Sequence, residues 1–399
     1  MKITRNSLVD LEIRLEWDSS QAKHTDCYYA KRVNLWRDIF PEQLSVRLVG
    51  RSPGDRVQWR FDAGSLIPND PKKTFTVKRK QFESKRASRL NTVPKFGRFY
   101  PKGLLKDIPG VFRANIEPFR CLDVDDRYIS VDFNHPLAAY EIHLTMIIHQ
   151  VYGQIERGGV SNDWVEVATD GPGRQARWKD KPTEFIADGA FSRKDENDDA
   201  GFYQTCRLVN HLDTHALAKV SDFYSRLLKP GMSILDLMSS WQSHLPAERS
   251  FEKIIGLGLN HEELQANRRL DDFLIHDINA DPRLPIADYE FNAVLCTVSV
   301  EYLTRPFDMF REVNRVLKPS GIFVITFSNR WFPPKVVRIW EEINEFERIG
   351  LVIEYFLQST LYTNLETYSM RGFPRPADDK YYLDLPYSDP VYVVWGMKR

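Results

Sequence analysis

Apolar and charged residues alternate over 9–17, VDLEIRLEW, the period-two signature of a half-buried strand. The same period returns over 56–61 and over 141–151, where Ile142, Leu144, Met146 and Ile148 share a face. A short helical stretch at 43–49 leads to the turn Ser52-Pro53-Gly54-Asp55, and a further β segment is expected over 124–133. From about Gly201 the pattern changes. Apolar runs at 233–237, 253–259, 273–277, 291–298 and 321–328 alternate with helical ones at 214–228, 262–270 and 306–317. Buried strands alternating with helices predict a parallel sheet covered on both faces. A long helix near 334–347 and two terminal strands, 365–370 and 391–397, close the chain.

Between these two textures, residues 153–200 are rich in Gly, Asp, Lys and Asn, as in Asp170-Gly171-Pro172-Gly173. That stretch reads as a linker or irregular connection. It divides the chain into an α+β part, 1–152, and an α/β doubly wound, Rossmann-like part, 201–399.

Composition narrows the picture. The chain has 399 residues with 55 basic and 55 acidic side chains, so no chain-wide field selects nucleic acid or an anionic membrane. Four dispersed cysteines, Cys27, Cys121, Cys206 and Cys296, form neither a disulfide scaffold nor a zinc framework. The first residues lack the apolar core of a signal peptide, and no apolar run reaches the roughly 18 residues of a membrane span. A soluble, cytoplasmic protein is expected.

Several motifs in the C-terminal half are shared with a known family. Ile234-Leu235-Asp236-Leu237 stands as a first strand, Phe291-Asn292-Ala293-Val294 as a fourth, and Leu317-Lys318-Pro319-Ser320-Gly321 as the turn before a fifth. In this order the motifs resemble class I S-adenosylmethionine-dependent methyltransferases over about 223–399. The resemblance implies S-adenosylmethionine as cofactor and a reversed terminal hairpin. It also implies a glycine-rich loop after the first strand, where this chain reads Met238-Ser239-Ser240-Trp241-Gln242, and an acid after the second, where Gly258 stands. Two readings follow: a specialised cofactor loop, or a methyltransferase fold without catalysis. On the first, Asp236, Ser239, Ser240, Asn260, Asp277 and Ser299 are cofactor-binding candidates, Asn260 for a ribose hydroxyl and Asp277 for the adenine amine. Glu301 or His244 would serve as general base. Tyr203, Arg207 and His211 are candidate lid residues. His211 and His215 have metal-binding spacing without a third ligand in register, so no metal is expected.

In the N-terminal part, 40–57 and Val131-Asp132-Phe133-Asn134-His135-Pro136-Leu137-Ala138 resemble FKBP-type peptidyl-prolyl isomerases of the SlyD kind. The resemblance implies an inserted flap at about 69–134 and a polypeptide partner. The family's pocket tyrosine falls on Leu15, and its D-G-x-x-F-D run has no counterpart. The insert's first part is basic, including Lys72, Lys73, Lys78, Arg79, Lys85, Arg86 and Arg89, without a recognised nucleic-acid motif. The expectation is a methyltransferase of unknown acceptor carrying an FKBP-like partner-binding domain. The alternative is an FKBP-type isomerase or chaperone-like binding protein with a silent methyltransferase fold.

Overall fold

A computed structural model describes residues 1–83, 93–153 and 159–399. Lys85, Arg86 and Arg89 of the basic stretch lie outside the described residues. The N-terminal part contains β1 (Leu8–Asp18), β2 (Ala22–Asn34), α1 (Glu42–Leu48), β3 (Arg56–Phe61), β4 (Thr74–Lys78), β5 (Phe99–Pro101), β6 (Pro118–Val124), β7 (Tyr128–Asp132) and β8 (Ile142–Tyr152). Two short helices follow, α2 (Trp164–Thr169) and α3 (Asp199–Tyr203). The rest comprises α4 (Thr214–Leu227), β9 (Ser233–Leu237), β10 (Lys253–Gly258), α5 (His261–Ala266), β11 (Asp272–Ile275), β12 (Phe291–Thr297), α6 (Pro306–Val316) and β13 (Leu317–Phe327). It closes with α7 (Arg338–Glu342), α8 (Glu345–Ser359), β14 (Tyr362–Arg371) and β15 (Val391–Lys398).

One sheet of eleven strands runs through both parts, in the order β11-β10-β9-β12-β13-β15-β14-β2-β1-β8-β3. The strands from β9 to β13 pair in parallel, and β15 enters antiparallel between β13 and β14, giving the doubly wound arrangement with a reversed hairpin. β14 then pairs in parallel with β2, from Leu365 opposite Ala22 to Arg371 opposite Tyr28. Two buried side-chain bonds reinforce this seam. His24 Nδ1 lies 2.9 Å from Thr367 Oγ1, and Ser369 Oγ donates to Asp26 Oδ1 at 2.6 Å. The second carboxyl oxygen of Asp26 accepts Trp17 Nε1, so each of these polar groups at the seam has a partner.

The expected insert forms its own antiparallel sheet, β4-β7-β6-β5, over a small core of Phe119, Cys121, Ile129 and Val131. Where one β segment was expected over 124–133, there is a hairpin: Asp125 Oδ1 accepts the amides of Arg127 and Tyr128 and turns the chain. This sheet is docked on α8. Arg98 bonds Glu347, whose Oε1 also accepts the Phe99 amide.

The segment from 159 to 200 is irregular but wedged in place. Arg177 makes a bidentate pair with Glu354 at 2.6 Å, and Arg120 from β6 donates to the carbonyls of Gly173 and Ala176. Gly171, at φ +106°, lies where a Cβ would come 2.1 Å from the ring of Phe346, so no larger residue fits.

Where a long helix is expected near 334–347, only the short α7 forms, and the long helix begins after it. Asn344 and Glu347 form a reciprocal capping box that starts α8. Buried on nearly every side from Phe346 to Phe356, α8 forms the spine between the parallel sheet and the insert. Among the described residues, no helix is long and apolar enough to cross a membrane.

Candidate functional site

A cavity of about 680 Å³ opens at the carboxyl ends of the parallel strands, where open α/β sheets bind ligands. Its floor begins with β9, whose five residues are all buried. Asp236 near its end is buried, and desolvation pushes its carboxyl up to about 6 although Ser239 Oγ donates to it at 2.6 Å. Met238 follows with φ +57°, the left-handed backbone that glycine adopts most readily. The turn expected from a glycine is therefore made without one.

The loop then closes on β10. The Ser239 amide donates to Leu257 O at 2.7 Å, and the Ser239 carbonyl lies 2.3 Å from where a Cβ on Gly258 would be. A carboxylate side chain cannot occupy position 258 beside this loop. The missing acid is thus a steric consequence of the glycine-free turn.

Ser240 Oγ donates to Glu263 Oε2 at 2.6 Å, and Glu263 Oε1 accepts the amide of Arg207 at 2.7 Å. Glu263 joins the floor loop to the segment that roofs the cavity. Asn260 ties the same two regions together. Its Oδ1 caps α5 at Glu263 N, while its amide donates to the carbonyls of Tyr203 and Gln204. Expected as a ribose contact, Asn260 has both donors engaged in holding the roof.

Asp277 lies past β11. Its Oδ1 accepts the amides of Asn279 and Ala280, and the residue lines the cavity. Ser299, past β12, donates its hydroxyl to Thr297 O at 3.0 Å. Between them Val298 has φ +51°, a left-handed conformation that is costly for a β-branched residue. His244 is also left-handed, at φ +51°, and burial lowers its imidazole to about 4. It stands neutral at physiological pH and is a weak base.

Asp236, Ser239, Ser240, His244, Asn260, Asp277 and Ser299 thus line one cavity, as do the candidate lid residues Tyr203, Arg207 and His211. Glu301 does not join them. Its side chain is fully buried, neither carboxyl oxygen has a hydrogen-bond partner, and desolvation raises it to about 8. The expectation of Glu301 as a base acting on substrate is corrected accordingly: the turn that brings the largely buried Ser299 and Tyr302 to the cavity wall turns the intervening side chain inward.

Several lining residues were missed by sequence reasoning. Glu263 sits one turn into the helix after β10, a position with a structural signal. Lys380 and Tyr381 arrive from between the terminal strands, and Phe332 from beyond β13, where chain position gives no hint of the cavity.

Residues 239–325 match the model of the Methyltransferase domain family. A stretch of 75 residues is 28% identical to a malonyl-[acyl-carrier protein] O-methyltransferase of Marinomonas sp. (strain MWYL1), covering 18% of this chain and 28% of that protein. Among solved structures, the chain is similar to one from a complex between the Trm112 methyltransferase activator and a methyltransferase of Haloferax volcanii. There the identity is 19%, the coverage 46% of this chain and 89% of that one, and the TM-score 0.34. A SAM-dependent methyltransferase from Aquifex aeolicus gives 16% identity, 47% and 91% coverage, and a TM-score of 0.31. The C-terminal part carries a methyltransferase domain, and the cofactor implied is S-adenosylmethionine.

Proposed function

We propose that this protein is an S-adenosylmethionine-dependent methyltransferase, with the cofactor lying across the ends of β9, β10 and β11 and the acceptor entering beyond β12 and β13. One observation carries the reading: Met238 keeps the left-handed turn of a cofactor loop at the mouth of a cavity of about 680 Å³. That volume lies in the range of small-molecule and cofactor sites. The residues fit the cofactor. Asp277 spends one carboxyl oxygen on its own turn and keeps a second for the adenine amine. Small Ser239 and Ser240 admit the methionine part, with their hydroxyls turned to Asp236 and Glu263. Bound there, S-adenosylmethionine supplies an electrophilic methyl group. The chain's own contribution is alignment and exclusion of water, with Glu263 and Asn260 holding the roof and Phe332 closing the acceptor side.

Calorimetry with S-adenosylhomocysteine tests this directly. At a hundred times its dissociation constant the ligand should also stabilise the fold by about 2.7 kcal/mol. No heat and no thermal shift at millimolar ligand would leave a silent fold.

The N-terminal part reads as an FKBP-like body that binds a polypeptide partner. Exposed Trp36, Ile39, Val46 and Val49 on and around α1 support this. Prolyl isomerisation is not expected, because Trp164 helps reduce the hollow beneath α1 to about 10 Å³. Acceleration of isomerisation in a proline peptide would overturn that expectation.

A further inference from the structure

The acceptor side of the cavity is walled by aromatic rings centred on Phe332. The rings of Tyr203, His211 and Tyr302 lie 6.4, 5.2 and 6.1 Å from it. Arg207 stands over Phe202 and Phe332 at 5.0 and 5.7 Å, and donates to the Phe202 carbonyl. Lys380 reaches the same cavity from the segment between β14 and β15. Among the described residues, neither cation has a carboxylate within ion-pairing distance, whereas neighbouring Arg330 is paired with Asp389 at 2.7 Å. Burial lowers the His211 imidazole first; the Glu263 carboxylate opposes this, and Arg207 and Lys380 both add to the lowering. Two cations without a direct carboxylate partner, on an aromatic wall, suit an anion with a flat, apolar body.

Most carboxylates lining the cavity are engaged: Glu263 accepts the Ser240 hydroxyl and the Arg207 amide, Asp236 accepts the Ser239 hydroxyl, and Asp277, on the far side under β11, accepts two amides of its own turn with one oxygen. Asp199 is held by Arg193 and Lys335, and Glu341 by Lys194. Burial keeps His211 and His244 neutral and weakly basic. An acceptor that must lose a proton is poorly served by such groups, and one already ionised needs none of them.

Resting on the methyltransferase reading, we propose that the acceptor is a flat, apolar carboxylic acid, held as its carboxylate by Arg207 and Lys380 and methylated on oxygen. The acceptor's carboxylate oxygen gives an electron pair to the methyl carbon, forming the O–C bond. The S–C bond breaks and its pair stays on sulfur. A carboxylate and a sulfonium become a neutral ester and a neutral thioether, and no proton moves. The ester has no charge for the two cations to hold, which favours its release.

The test uses the whole chain, with trans-cinnamate and the uncharged cinnamamide as probes. S-adenosylhomocysteine is titrated first, and its saturated complex is then titrated with each probe. Cinnamate should bind at least tenfold more tightly than cinnamamide. Arg207→Gln should remove that preference while leaving S-adenosylhomocysteine affinity within twofold, and Arg207→Lys should retain most of it. With methyl-labelled S-adenosylmethionine and cinnamate, the label should be released by alkali as methanol. Equal binding of the two probes, or an alkali-stable label, would overturn the proposal. So would an Arg207→Gln variant that loses S-adenosylhomocysteine and keeps cinnamate, because the guanidinium would then serve the cofactor's own carboxylate. Failure of S-adenosylhomocysteine alone, with the cinnamate preference intact, would overturn the transferase reading and the esterification, and leave an anion site.

Discussion

Arg98 Nε of the insert lies 2.9 Å from Glu347 Oε1 on α8, in an ion pair with side chains 5% and 1% exposed. The same oxygen accepts the Phe99 amide, and Oε2 accepts the amide of Asn344. One carboxylate therefore caps a helix and docks a separate sheet.

Glu347→Ala removes the acceptor and leaves a guanidinium buried without its partner. A loss of about 3–5 kcal/mol is expected, read as a lower denaturation midpoint, with the insert becoming sensitive to protease. The paired change Arg98→Met with Glu347→Leu should recover much of that loss. A single variant as stable and as protease-resistant as the parent would show that the insert is held by its other contacts.

A second expectation concerns Gly258. Restoring the acid with Gly258→Asp should abolish S-adenosylhomocysteine binding rather than improve it, since the new Cβ meets the Ser239 carbonyl at 2.3 Å. Gly258→Ala should already weaken binding severalfold by displacing the loop. Calorimetry on the two variants checks this, and a gain in affinity for the aspartate would mean that the loop moves aside freely.

The framework of the C-terminal sheet was legible in the chain because its strands are continuous apolar runs and its helices amphipathic. β9 and β3 were read at their observed bounds. β2 leaves no such mark in the pattern. Its sequence carries His24, Asp26 and Lys31, which resemble solvent-facing residues until Thr367 and Ser369 arrive from more than 300 positions away to satisfy the first two. α8 was misplaced for a related reason: a helix buried on nearly every side has no polar face to mark its period, and its Glu347 and Glu354 are paired inside the protein. Cavity-lining residues next to strand ends are legible from the strand pattern. Glu301, adjacent to such residues, is not, because one step along a turn reverses the direction of a side chain.

The buried Glu301 gives a pH expectation with a definite sign. Desolvation raises its folded-state carboxyl to about 8 from an ordinary 4.5, with its own nearby backbone amide and, less, Arg348 offsetting only part of the cost. The folded protein therefore binds this proton more tightly than the unfolded chain. The associated stability is complete below about pH 4.5 and is lost as pH rises through 8. Glu301→Gln keeps the shape and removes the titration. Its thermal midpoint should match the parent near pH 4.5 and exceed it by several degrees at pH 9. Parallel profiles across that range would mean that Glu301 finds a partner when ionised.

The parallel pairing of β2 with β14 also bears on how such a chain can be inherited. A methyltransferase half that ends its sheet on a free edge can be exchanged between proteins as a cassette. Here β14 has a specific neighbour, matched in register and in buried polar side chains, and β2 has the complementary obligation. Recombination that brought in a new partner for either half would have to bring a matching edge strand with it. The two halves are therefore coupled at this seam, and substitutions at His24, Asp26, Thr367 and Ser369 are expected to track one another among homologues.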